Sequence, residues 1–213
     1  MTRTTLSRLP WRSLAAALAA ASALTACAPL IVGGAAVGGA LMVIDRRTSG
    51  AQLEDQAIEL KGMNRAREVL GGRGHVNVTS YNRLVLLTGE VDNEADKANV
   101  EQTISKIENV RSIVNELSVM GASSLTSRSN DAILTGKVKA TFVDSGDLDA
   151  TAVKVVTERG TVYLMGRVTE REANRAAELA RRVSGVAKVV RVFEPISESE
   201  LAELRSRTAP QKQ

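Results

Sequence analysis

The hydrophobic pattern switches between strand-like and helix-like periods, and it does so twice in the same order. "VNVTS" (76–80) alternates apolar and polar positions as a half-buried strand does, and "LVLLTGEV" (84–91) is a short strand pattern ending in Gly, one further residue and Val. "NEADKANVEQTISKIENV" (93–110) follows a helical spacing, and "RSIVNELSV" (111–119) returns to a strand pattern. The succession recurs as "VKVVT" (153–157), "TVYLMGRV" (161–168), "EREANRAAELARRVSGV" (170–186) and "AKVVRVFEP" (187–195). A further helical run precedes each series: "AQLEDQAIELKGMNRAREVL" (51–70) and "NDAILTGKVKATFV" (130–143). Self-similarity at a fixed period is read before any single element. It predicts an α+β protein of two tandem αββαβ units, each a three-stranded mixed sheet covered on one face by two helices.

Punctuation supports the same division. Asn82 and Gly160 stand at matching hairpin turns, and Gly89 and Gly166 close the second strand of each unit, where close backbone approach or a positive φ is expected. Gly185 marks the turn into the last strand of the second unit; Asn109 holds that place in the first. Asn93 and Thr169 are candidate helix N-caps. "GASSLTSRS" (121–129) reads as a linker, and the tail from Ser197 opens on a short helical pattern and is expected to fray. The chain divides into residues 1–26, 27–49, 50–120, 124–194 and 195–213.

The first two of these segments are of another kind. Arg3, Arg8 and Arg12 precede an uncharged run from Ser13 to Ile44, the order of a secretory leader. Leu24-Thr25-Ala26-Cys27 has the form of a bacterial lipobox, with small side chains beside the scissile bond and a thiol to take diacylglycerol. Cleavage removes the only tryptophan, Trp11, and makes Cys27 the first mature residue, carrying diacylglycerol and an N-acyl chain. One acyl chain binds a membrane only marginally and several bind durably. Residues 28–44, "APLIVGGAAVGGALMVI", fall short of the roughly 20 residues that span a bilayer. They read as a tether, with glycine-mediated self-association as the alternative.

Composition narrows the chemistry. A single cysteine excludes an internal disulfide, and a single histidine, His75, excludes a zinc site built from His and Cys. No arrangement of nucleophile, base and oxyanion donor is present, so an enzyme is not expected, and no small-molecule substrate or cofactor follows. With 2% aromatics there is no stacking platform for nucleic acid. Residues 45–122 carry 10 basic and 12 acidic side chains, residues 124–194 carry 12 and 9, so the second unit is the positive one. That suits an anionic lipid surface, where each basic residue contributes about 1 kcal/mol. On the helix 130–143, Leu134, Val138 and Phe142 recur at core spacing. Ile133, Lys137, Lys139, Ala140 and Val143 are left for the outer side, either as a phospholipid contact or as an ordinary solvated face. Arg171, Arg175, Arg181 and Arg182, interleaved with glutamates, read as a salt-bridged solvated face; Asp144, Asp147 and Asp149 read as a turn.

The "V.L.G.V" strand, the Ala-rich helix after it and "SGVAKVV" (184–190) resemble the BON-domain family over residues 50–194, with Asn109 replacing the usual glycine in the first unit. With the lipobox, the architecture resembles outer-membrane lipoproteins carrying two BON domains. The resemblance implies a non-enzymatic, lipid-anchored protein of the outer membrane that faces the periplasm and maintains envelope integrity. Ala28, rather than Asp, after the cysteine favours that location. It further implies that the second domain binds anionic phospholipid through the helix 130–143, at the division site. The alternative is a protein-interaction adaptor for an outer-membrane assembly complex or a cell-wall hydrolase regulator.

Overall fold

The computed structural model describes residues 45–208; the leader, Cys27, Ala28 and the tether to residue 44 lie outside the described residues. The first repeat runs α1 (Ser49–Leu70), β1 (His75–Tyr81), β2 (Leu84–Val91), α2 (Glu94–Ser105), β3 (Ser112–Asn115) and β4 (Ser118–Val119). The second runs α3 (Leu125–Ser145), a 3-10 turn (Ala150–Ala152), β5 (Lys154–Glu158), β6 (Thr161–Val168), α4 (Glu170–Arg181) and β7 (Lys188–Pro195), followed by α5 (Glu198–Thr208). In each repeat an antiparallel hairpin, β1–β2 or β5–β6, is extended by a parallel strand on its second member.

The helices start where side chains satisfy their free N–H groups. Asn93 Oδ1 accepts from Asp96 N at 2.8 Å, and Thr169 forms a capping box with Glu172. The helix stripes lie on the sheets: Ile58, Ala66 and Leu70 of α1 meet Val78, Val85 and Leu87, while Val138 and Phe142 of α3 meet Val155, Val162 and Leu164. Gly89 (φ 112°) and Gly166 (φ 155°) are required by contact as well as conformation. A Cβ would lie 2.0 Å from His75 O at the first and 2.2 Å from Ala152 O at the second.

Five expectations change in detail. The strand predicted over 111–119 is broken: Glu116 N donates to Leu87 O (2.9 Å) and Leu117 turns into the core, so the first sheet has four strands where three were expected. β7, its counterpart, pairs along all eight residues of β6. Helices α2 and α4 end a turn earlier than 110 and 186, each followed by a left-handed residue, Asn109 at φ 68° and Gly185 at φ 102°. Asparagine tolerates that region, so the departure at Asn109 leaves the turn unchanged. The hairpin register shifts by one: both turn residues have positive φ, and Asn82-Arg83 matches Arg159-Gly160, so Gly160 answers Arg83. Helix α3 begins at Leu125 because Ser124 Oγ accepts from Ser127 N, so most of the expected linker is helix. The tail does not fray at once. Leu201 of α5 is 2% exposed, and Glu200 and Glu198 pair with Arg167 and Arg171.

The second face of each sheet is where the largest new feature lies. Tyr81 and Leu86 of the first sheet pack against Tyr163, Met165 and Val192 of the second, flanked by Leu84, Val114, Val156 and Val190. The layers therefore run helices, sheet, sheet, helices. Each side chain of this third core is stabilised by about 1.5–3 kcal/mol relative to exposure.

Candidate membrane-facing surface

Helix α3 is held to its own repeat from beneath. Asp131, 7% exposed, accepts from the turn N–H groups of Arg159 and Gly160 at 2.8 Å each. Thr135 Oγ1 bonds Thr157 Oγ1 on β5 at 2.7 Å, and Leu134, Val138 and Phe142 are buried. These contacts set the helix rotation, and the rotation leaves Ile133, Lys137, Lys139, Ala140 and Val143 outward together. Ile133 is 58% and Val143 67% exposed. Among the described residues, neither Lys137 nor Lys139 is in an ion pair. Beside the N-terminal half of α3 lies an open groove of about 340 Å³, between Ile133 and Lys137 on one side and the turns at Gly160 and Gly185 on the other.

The other sequence candidates go elsewhere. Arg175 pairs with Asp147 (2.8 Å) and Glu178 (3.1 Å), Arg182 with Glu178, and Arg171 with Glu198, the salt-bridged face expected of that helix. Asp149 caps Thr151 N at 3.1 Å, and among the described residues no cluster of three or more His, Cys, Asp or Glu is placed to hold a metal. His75 is the first residue of β1, and burial, with Arg128 nearby, holds its imidazole below the usual pKa.

The charged groups that join the repeats were not foreseen. Glu90, fully buried, accepts from Arg159 Nε and from Ser123 N at 3.0 Å. Lys154 Nζ donates to Glu59 Oε1 at 2.7 Å and to Ser80 O at 3.1 Å. Asn77 donates to Glu158 (2.9 Å), and Arg111 and Asn82 both donate to Glu194 at 2.8 Å. Arg46, at the end of the expected tether, is 4% exposed and crosses to the second repeat. It donates to both oxygens of Glu172, at 2.7 and 2.8 Å, and to Arg167 O at 2.8 Å. Such bidentate pairing is strong and directional. Burial opposes ionisation of Glu172, but the Arg46 bonds and the Thr169 N–H outweigh it and hold its pKa below the ordinary carboxylate value. Glu90 behaves alike: burial is outweighed by Arg159 and Ser123. Glu158 goes the other way; burial raises its pKa, reinforced by Glu90 and Asp131, despite the Asn77 bond. One sequence signal was available. Glu90 and Arg167 occupy the same place in "LVLLTGEV" and "TVYLMGRV", single charges of opposite sign in strands otherwise uncharged.

Two αββαβ units are thus joined through their sheets, with an apolar and basic helix face turned outward. The BON domain family model matches residues 63–121 and 130–194, and the chain belongs to this family. It is 39% identical over 186 residues to the outer membrane lipoprotein DolP of Haemophilus influenzae, covering 86% of this chain and 96% of that protein. It is 32% identical over 152 residues to a 21 kDa hemolysin of Actinobacillus pleuropneumoniae, covering 70% and 78%. Osmotically-inducible protein Y of Escherichia coli is 28% identical over 117 residues, 54% of this chain and 58% of that one. The chain is an outer-membrane lipoprotein of the BON family, which is not a family of enzymes.

Proposed function

We propose that this is a non-enzymatic, periplasm-facing lipoprotein anchored through Cys27, whose second repeat rests on anionic phospholipid through the outer face of α3. The observation that supports it is the coincidence, on one helix face, of exposed Ile133 and Val143 with two lysines free of carboxylate partners. Apolar residues beside cations on a helix surface suit the headgroup boundary. A role in envelope integrity at the division site rests on the family alone. The charge difference between repeats supports the lipid reading less than the sequence implied, since Lys154 and Arg159 are engaged with Glu59 and Glu90 of the first repeat.

Co-sedimentation with vesicles tests it, using residues 45–213 so that the shared core stays whole. Phosphatidylglycerol vesicles bind the chain; phosphatidylcholine vesicles do so far less. Ile133→Asp abolishes the difference without loss of fold. Equal binding to both vesicles removes the proposal. Cys27→Ala in the full chain releases the protein from the outer-membrane fraction.

The second reading, a protein-interaction adaptor, is favoured by Leu53 and Leu60 of α1, which are 69% and 60% exposed on the opposite outer layer. Crosslinking to one stoichiometric protein, lost in Leu60→Asp and unaffected by lipid, distinguishes it.

A further inference from the structure

The two repeats can be placed in register by their turn-capping aspartates. Asp55 accepts from Asn82 N (2.7 Å) and Arg83 N (2.8 Å), as Asp131 does from the turn of the second repeat. Counted from these residues, Ile58 matches Leu134, Gly62 matches Val138 and Ala66 matches Phe142. The second repeat closes that end of its core with Phe142 (0% exposed), Leu148, Ala152 and Val153. In the first, Ala66 stands where Phe142 does, and Leu70, 3% exposed, is the last large apolar side chain before Gly71-Gly72-Arg73-Gly74 and β1.

A cleft of about 280 Å³ opens there, floored by Met63, Ala66, Leu70 and Val76, with Arg67 and Arg73 at its mouth. Arg73 faces Asp96 (3.3 Å) and Asp92 (3.6 Å), whereas Arg67 is exposed and, among the described residues, in no ion pair. The uncommitted charge at the mouth is therefore cationic, above an apolar floor continuous with the core. The volume falls just under the roughly 300 Å³ at which drug-sized ligand sites begin, which leaves room for one slender chain. It belongs to the repeat opposite the α3 face, so it does not depend on that reading.

We propose that this cleft takes the hydrocarbon chain of a single-chain anionic amphiphile, with Arg67 on the head group. The ligand class follows from the floor and the free guanidinium together: an apolar chain fills what Phe142 and Leu148 fill in the second repeat, and an anion satisfies Arg67.

Residues 45–213 titrated with sodium decanoate below its micelle concentration, followed by residue-level NMR, test this. Saturable shifts appear over residues 63–77 and are absent with decyltrimethylammonium. Ala66→Phe, which gives the first repeat the ring of the second, removes the decanoate response while the spectrum stays dispersed. Arg67→Gln weakens binding about tenfold, the scale of a lost charged hydrogen bond. No shifts over 63–77, an equal response to the cationic amphiphile, or unchanged affinity in Arg67→Gln would each overturn the proposal. Arg67 is exposed and outside the core, so its variant decides the question even where Ala66→Phe does not fold.

Discussion

The two repeats set the same elements in the same order and fill them differently. The second is plugged by Phe142 and Leu148, carries an unbroken β7, and holds Arg46 from the other end of the chain. The first has Gly62 and Ala66 on its core helix, a broken last strand and an open cleft. Gly62 is informative. A Cβ there would lie 2.8 Å from Val78 Cγ1, so α1 sits close on β1, and the helix tolerates a residue costing about 1 kcal/mol there. Repetition thus conserves the topology and the capping of turns by Asp55 and Asp131, while leaving the volume of each core to be met separately. The shared third core lets a leaner repeat lean on a fuller one.

The comparison breaks first at Phe142. Phe142→Ala is expected to cost about 3–5 kcal/mol in urea unfolding, because it leaves a ring-sized cavity in a core that is closed on every side. The corresponding Ala66→Gly costs about 0.5–1 kcal/mol, by helix propensity. Arg46→Ala strands the buried Glu172 carboxylate and is expected to cost about 3–5 kcal/mol. Amide hydrogen exchange then rises at the start of α4, far from residue 46 in sequence. Met165→Ala removes a side chain from the shared core, at about 2–5 kcal/mol. Its signature is faster exchange in β2 as well as in β6, since both strands flank the loss.

Acid separates the charged groups by sign. Glu90 and Glu172 have folded pKa values below the ordinary value, so their stabilisation is present above about pH 4.3 and is lost as pH falls through their folded pKa. Glu158 has a raised folded pKa; its ionisation cost develops as pH rises past the same point and is relieved on acidification. Glu158→Gln is therefore expected to raise stability at pH 7 and to steepen its decline between pH 6 and 4, read by denaturant midpoint at each pH. The smallest structural effect belongs to the outer face. Lys137→Gln and Lys139→Gln shift stability by no more than about 0.5 kcal/mol. Each lowers affinity for phosphatidylglycerol vesicles about fivefold, the weight of one basic residue near an anionic surface.

Particular residues show what could be read from the chain. Leu134, Val138 and Phe142 stood at core spacing and are buried; Asn93 and Thr169 stood before helical runs and cap them. The outward position of Ile133, Lys137, Lys139, Ala140 and Val143 followed from the same helical period. These are local matters, decided by periodicity and by which side chains reach a backbone N–H within four residues. The break at Glu116 and Leu117 falls where the polar pair Asn115-Glu116 interrupts the alternation, but only the packing of Leu117 decides which way the strand turns.

By itself the sequence determined the repeat, the order of its main strands and helices and the core face of α3, since each depends on short-range spacing. Tertiary structure decided that the sheets meet face to face, that Arg46 reaches Glu172 across 126 positions, and that Ala66 leaves open what Phe142 closes. Those outcomes rest on contacts between segments whose separation in sequence carries no trace of their distance in space, and on volumes that exist only once two surfaces have met.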